Sequence, residues 1–247
     1  MKGRTIILAG GSGGLGAVLA DFLAGRGARP ILGCFRNVDR ARAISADIES
    51  RHGVSVPVVV GDVLEAETRD RLMDEGSSMG PLYGLVSLVG EPSRVPIEEA
   101  TESDLLAAMR INYVAPVLLA RDFASRVGRN DASIVFVSTM QAVGIFPGST
   151  AYAAPKAALI HAGRILAHQW GGSQGIRVNV VAPGVTTSGM AEKSVASGKY
   201  DPFVESGVIT RFGDPLDVAR AIALFLEPDN YVTGQVLTVD GGLTLRK

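Results

Sequence analysis

The chain has 247 residues, 47% of them hydrophobic, and its 24 Lys and Arg nearly cancel 25 Asp and Glu, for a net charge of −1. That balance leaves no basic stripe for nucleic acid and no acidic tail that would form a disordered arm. A single cysteine, Cys34, excludes a disulfide framework within the chain and fits a reducing compartment.

The first apolar stretch, Thr5–Ala9, is too short for a signal-peptide core and runs into glycines instead of a cleavage site. No uninterrupted apolar run approaches the ~18 residues of a bilayer span, so a cytoplasmic protein without a membrane partner is expected. Further strands are predicted at Pro30–Cys34, Val56–Val60, Leu82–Val89, Ser133–Val137, Arg177–Val181 and Val236–Val239. Most lack polar alternation, as strands covered on both faces do. Helices are predicted at Leu15–Arg26, Asp39–Arg51, Glu65–Glu75, Ser103–Val127, about Tyr152–Trp170 and Pro215–Phe225. Strand–helix alternation of this kind implies an α/β fold: a doubly wound (Rossmann) parallel sheet of about seven strands, flanked by helices on both faces. With no linker or composition break, one domain over 1–247 is expected. The polar segment 188–211 breaks the rhythm and reads as a lid over a pocket.

The first strand leads into Gly10-Gly11-Ser12-Gly13-Gly14-Leu15-Gly16. Glycines at a strand-to-helix turn let a pyrophosphate approach bare amides, and the helix N-terminus adds unpaired N–H groups. The second strand ends Arg36-Asn37, with no carboxylate before Asp39. An acid there would repel a 2′-phosphate, whereas Arg36 can pair with one, so NADP(H) is favoured over NAD(H). Asp62 and Val63 close the third strand, where Asp62 could contact an adenine ring, cap the next helix, or do both. Tyr152 and Lys156 lie four residues apart, on one face of a helix. A phenol of pKa about 10 is a poor proton donor at neutral pH, and a neighbouring ammonium would be expected to lower it. His161 and His168 have no further ligands at metal spacing, so no metal is expected, and Trp170 reads as a packing residue.

The pattern Gly10-x-x-x-Gly14-x-Gly16, followed about 140 residues later by Tyr152-x-x-x-Lys156, resembles the short-chain dehydrogenase/reductase family. The resemblance extends through Val178–Gly184, Tyr231–Val236 and Val239–Gly242, essentially the whole chain. It implies hydride exchange between NADP(H) and a carbonyl or secondary alcohol, with Tyr152 as proton donor and Lys156 tuning it and holding the nicotinamide ribose. A hydroxyl 13 residues before the tyrosine would hold the substrate oxygen; that position is Thr139, with Ser138 an adjacent alternative. Asn112 would support a proton relay, and Pro183, Gly184, Val185, Thr186 and Ser188 would lie beside the nicotinamide. The chain departs from the family at Ala9, where a Thr is usual, at Gly13, often basic in NADP-using relatives, and at Ser87-Leu88-Val89-Gly90, where Asn-Asn-Ala-Gly is usual. Pro155, between Tyr152 and Lys156, requires the helix to begin shortly before Tyr152 or to bend.

The chain is similar above all to 3-oxoacyl-carrier-protein reductases. A 3-oxoacyl thioester of fatty-acid or polyketide synthesis is the leading substrate class, and an acyl carrier protein, docked on Arg121, Arg126 and Arg129, a possible partner. A small free ketone, steroid or sugar alcohol is the alternative, and a catalytically silent NADP-binding subunit a third. Family resemblance also implies a homotetramer built through the helices around 103–127 and 152–170.

Overall fold

The computed structural model describes residues 1–246, apart from the side chains at 190 and 193. Seven strands form one parallel sheet: β1 (Thr5–Ala9), β2 (Arg29–Cys34), β3 (Val58–Val60), β4 (Leu82–Ser87), β5 (Ala132–Val137), β6 (Ile176–Pro183) and β7 (Val236–Val239). Their spatial order is β3-β2-β1-β4-β5-β6-β7. The helices are α1 (Gly14–Ala24), α2 (Val38–His52), α3 (Ala66–Ser78), α4 (Glu102–Met109), α5 (Ala115–Val127), α6 (Thr150–Gln174), α7 (Glu192–Ala196), α8 (Asp201–Glu205), α9 (Pro215–Leu226) and α10 (Leu243–Arg246).

The expected doubly wound sheet is present, and two predicted strands, β1 and β7, have the predicted bounds. Two others are shorter. The third strand begins at Val58, and the fourth stops at Ser87 because Leu88 and Val89 already turn into the site.

One core cluster lies between the sheet and α3, α5 and α6, with Leu72, Leu119, Phe123 and Leu159 at its centre. A second lies under α1 and α9, around Leu19, Leu23, Val218 and Ile222. Strands sandwiched this way must be apolar on both faces, which is why β1 and β5 are buried at every position. A third, smaller cluster joins Met140, Val185, Ile209 and Leu243 to Tyr200, Phe203 and Phe212. It seats the segment expected to be a lid, which holds the short helices α7 and α8.

The stretch predicted as one helix over 103–127 is broken by a π-helical turn at Arg110–Val114. Pro116 has no N–H to offer the carbonyl of Asn112 four residues earlier, and the Ala115 N–H reaches back to Arg110 instead. The whole stretch, Glu102–Val127, contains an 18-residue window of mean hydropathy 1.2, enough by length and composition to cross a membrane. A third of that window is buried in the fold, and Leu119, Ala120 and Phe123 pack onto the sheet.

β1 is central, and the chain leaves it first toward β2 and β3, then returns to add β4 on its other side. Registers Ala9↔Gly33 and Ala9↔Ser87 level the carboxyl ends of these three strands at that switch point, where doubly wound sheets bind ligands.

Candidate active site

A cleft of about 960 Å³ opens at the carboxyl edge of the sheet. Its lining includes Gly10, Ser12, Gly13, Gly14, Leu15 and Gly16 from the glycine turn, and Arg36, Asn37, Asp62, Val63 and Gly90 from the turns after β2, β3 and β4. Ser138, Thr139 and Tyr152, then Pro183, Gly184, Val185, Thr186 and Ser188, complete the far half. Asn112 and Lys156 do not line it; both are buried immediately behind it.

The glycine turn has the shape of an anion cradle. Gly10 has φ +87°, and a Cβ on Gly16 would fall 2.6 Å from the Gly11 carbonyl oxygen, so neither position admits a side chain without strain. The N-terminus of α1 has no side-chain cap and no acidic residue in its first turn, which leaves its N–H groups and dipole open to phosphate. Over it sits Ser188, whose Oγ is buried and unpartnered and lies 3.2 Å from where a Gly14 Cβ would stand. A bare, positively polarised helix end facing an unsatisfied hydroxyl fits a dinucleotide pyrophosphate. Thr186, expected at the carboxamide, turns its hydroxyl to the Ser188 carbonyl at 3.2 Å. The Asp62 carboxylate accepts from the Leu64 N–H at 2.9 Å and so stiffens its own turn; α3 begins later, after Glu65.

At the other end Tyr152 stands in the first turns of α6, which begins at Thr150, so Pro155 is accommodated close to the helix start. Thr139 and Ser138 separate in role. The Thr139 hydroxyl hydrogen-bonds Tyr152, whereas Ser138 donates to the Lys156 carbonyl at 3.0 Å and ties β5 to α6. Ser138 therefore turns away from the tyrosine.

Lys156 donates to the Val89 carbonyl at 2.9 Å and to the Val137 carbonyl at 3.0 Å. Asn112 is fully buried; its Nδ2 donates to the Glu91 and Ala108 carbonyls, each at 3.1 Å, and its Oδ1 accepts the Glu91 N–H at 3.1 Å. Gly90 makes this convergence possible, since a Cβ there would lie 2.7 Å from Asn112 Oδ1 and 3.0 Å from Lys156 Nζ.

The electrostatics correct one expectation. Burial pushes the Tyr152 phenol up to about 12, against a smaller lowering by the Thr139 hydrogen bond. Burial pulls the Lys156 ammonium down to about 7. The lysine, with help from the positively charged nicotinamide ring, was expected to lower the tyrosine from one turn away. Desolvation sets the direction at Tyr152, while the Lys156 Nζ is held by two carbonyls at the strand ends and is not among the groups that shift the phenol.

The departure at Ser87-Leu88-Val89 also has a structural counterpart. Val89 supplies its main-chain carbonyl to Lys156, which needs no particular side chain, and the Ser87 hydroxyl is buried without a partner.

Arg40, Glu91 and the aromatic wall of Phe146, Tyr200 and Phe203 also line the cleft and were not singled out from the sequence. Arg40 stands four residues after Arg36, a spacing that was available as a signal; Glu91 is placed by tertiary contacts alone. The arginines expected to dock a carrier protein lie outside the cleft lining. Arg121 and Arg126 are paired with Asp122 and Asp74 at 2.7 Å each. With Arg129 they lie where α5 runs down into the start of β5, the edge of the sheet opposite the cleft. Among the described residues no cluster of His, Cys, Asp or Glu could hold a metal.

A family model described as Enoyl-(acyl carrier protein) reductase matches residues 9–244. A 3-oxoacyl-[acyl-carrier-protein] reductase from Rattus norvegicus is 30% identical over 236 residues, covering 96% of each chain. The chain belongs to the short-chain dehydrogenase/reductase family. A tropinone reductase homolog from Arabidopsis thaliana is 33% identical over 258 residues, covering 99% of this chain and 80% of that protein. Among solved structures, a dehydrogenase/reductase from Sinorhizobium meliloti matches with TM-score 0.87 and 31% identity, covering 98% of this chain and 96% of its own. A short-chain dehydrogenase/reductase from Mycobacterium ulcerans matches with TM-score 0.93 and 25% identity, over 100% and 92%. As a short-chain dehydrogenase/reductase, the protein is an NAD(P)-dependent oxidoreductase.

Proposed function

We propose that this short-chain dehydrogenase/reductase is an NADPH-dependent ketoreductase whose substrate is a 3-oxoacyl thioester carried on an acyl carrier protein. The observation that carries the reading is the Tyr152–Thr139 hydroxyl pair on the cleft floor, with Lys156 buried directly behind it. Bound NADPH supplies the hydride. Thr139 and Tyr152 hold the substrate carbonyl oxygen, and Tyr152 gives it a proton as negative charge develops there. Lys156, held between two strand-end carbonyls behind the cleft, would hold the cofactor ribose and pass a proton toward Tyr152, while Asn112 fixes the Gly90–Glu91 turn around it. Arg36 and Arg40 would hold a 2′-phosphate, and the uncapped end of α1 would hold the pyrophosphate. The apolar wall of Met140, Phe146 and Phe203 suits an acyl chain. The exposed Leu105, Leu106 and Ile165 support a homotetramer assembled on the α4–α5 and α6 surfaces.

A second reading has its own support. Three aromatic rings, Phe146, Tyr200 and Phe203, also suit a compact free ketone, and the Arabidopsis relative is named for such chemistry. NADPH oxidation measured with an acetoacetyl thioester and with small cyclic ketones separates the two. Higher kcat/KM on the thioester is the expected result, and faster turnover of free ketones reverses the assignment. Tight NADPH binding without turnover of any ketone identifies a silent subunit.

A further inference from the structure

Arg36 is already engaged. Its Nη1 lies 3.3 Å from Glu91 Oε1, and its guanidinium stands 5.1 Å from the centre of the Phe35 ring. Arg36 belongs to the turn after β2 and Glu91 to the turn after β4, and both line the cleft, so the ion pair spans the adenosine end of the groove. Glu91 cannot withdraw by a main-chain shift, because Asn112 holds both its N–H and its carbonyl at 3.1 Å. Only its side chain can swing. We propose that Glu91 is a cofactor-specificity residue: its carboxylate occupies the Arg36 guanidinium until a 2′-phosphate displaces it.

This inference rests on the NADP(H) reading above. A carboxylate and a phosphate are the two anions that a guanidinium fork accepts, and Arg36 cannot serve both fully at once. NADP(H) must therefore replace the pair, and its affinity is reduced by whatever the pair is worth. NAD(H) has no phosphate at this position and leaves the pair in place. Glu91 thus narrows the preference for the phosphorylated cofactor that Arg36 creates. Both side chains are well exposed, so the effect is modest.

The test is the Kd of NADP+ and of NAD+, measured by titration calorimetry on the full chain at low and at high salt. For Glu91→Gln, NADP+ binding is expected to tighten by about 2- to 5-fold at low salt, with a smaller change for NAD+. High salt should shrink the difference. The gain should vanish in the Arg36→Ala background, because the two residues act through one contact. Unchanged or weakened NADP+ binding in Glu91→Gln overturns the proposal. So does an equal gain without Arg36, which would mean that Glu91 repels the phosphate directly. If Arg36→Ala alone leaves the NADP+ Kd unmoved, the cofactor reading itself fails, and that outcome is distinct from the other two.

Discussion

The two ends of the cleft are built on opposite principles. At the catalytic end the chemistry is embedded: Lys156 and Asn112 are buried, each hydrogen-bonded to main-chain atoms, and Tyr152 stands on a 25-residue helix. At the other end the groove is lined by exposed side chains, Arg36 and Glu91 on turns and Arg40 in the first turn of α2. A buried hydrogen-bonded network has few ways to rearrange, so it fixes geometry to the precision that proton transfer needs. An exposed ion pair is weak and exchangeable, which suits a choice between two cofactors that differ by one phosphate. The difference predicts that substitutions cost orders of magnitude at one end and small factors at the other.

The largest effect is expected for Tyr152→Phe. Removing the hydroxyl proposed to protonate the substrate oxygen should lower kcat by about 10³-fold, within the range of general acid catalysis. NADPH affinity, measured separately by fluorescence titration, should stay near that of the parent. A variant that retained a tenth of the parental rate would mean that some other group delivers the proton.

How much of this contrast could be read from the sequence follows from the same division. The Tyr152–Lys156 pair was legible because helical periodicity alone places both on one face, and the glycine turn was legible because it follows β1 directly. The separation of Thr139 from Ser138 was not, since neighbouring residues at a strand end differ only in how β5 meets α6. The π-helical turn at Arg110–Val114 was not legible either, since periodicity carries one helix straight through it. Glu91 gave no signal, because its role depends on Asn112 and Arg36, 21 and 55 residues away. The burial that pushes the Tyr152 phenol up was hidden for a related reason: sequence shows that the ammonium is one turn away but not how deeply both groups are buried.

Lys156 yields the next effect, read as stability against pH. Its ordinary value of 10.5 falls to about 7 in the folded protein. Between these values the unfolded chain binds a proton that the native one does not, so this group makes stability rise with pH, by at most about 1.4 kcal/mol per unit. Below about pH 7 both states are protonated and the slope disappears. Tyr152 acts in the opposite sense: its value rises to about 12, so its contribution is lost as pH climbs from 10 to 12. Lys156→Met should gain most relative to the parent near pH 7, and the gain should shrink toward pH 10, as measured by urea midpoints across that range. A difference independent of pH would show that the ammonium is not desolvated.

The smallest effect belongs to the adenosine end, at Arg40. This side chain lies in the first turn of α2, where the helix dipole is positive and a cation is mildly unfavourable. Asp39 in the same turn complements the dipole, and a 2′-phosphate between Arg40 and Arg36 would offset the cost further. Arg40→Ala should therefore weaken NADPH binding by about 2- to 5-fold, a change typical of one exposed charge contact, with kcat unaltered at saturating cofactor. The same substitution should stabilise the free protein slightly, because the cation no longer opposes the dipole. Loss of affinity for NADPH together with a small rise in Tm would separate cofactor recognition from packing, since a residue needed for packing would lower both. An equal loss for NADH would place Arg40 against some other part of the dinucleotide and remove it from the choice between the two.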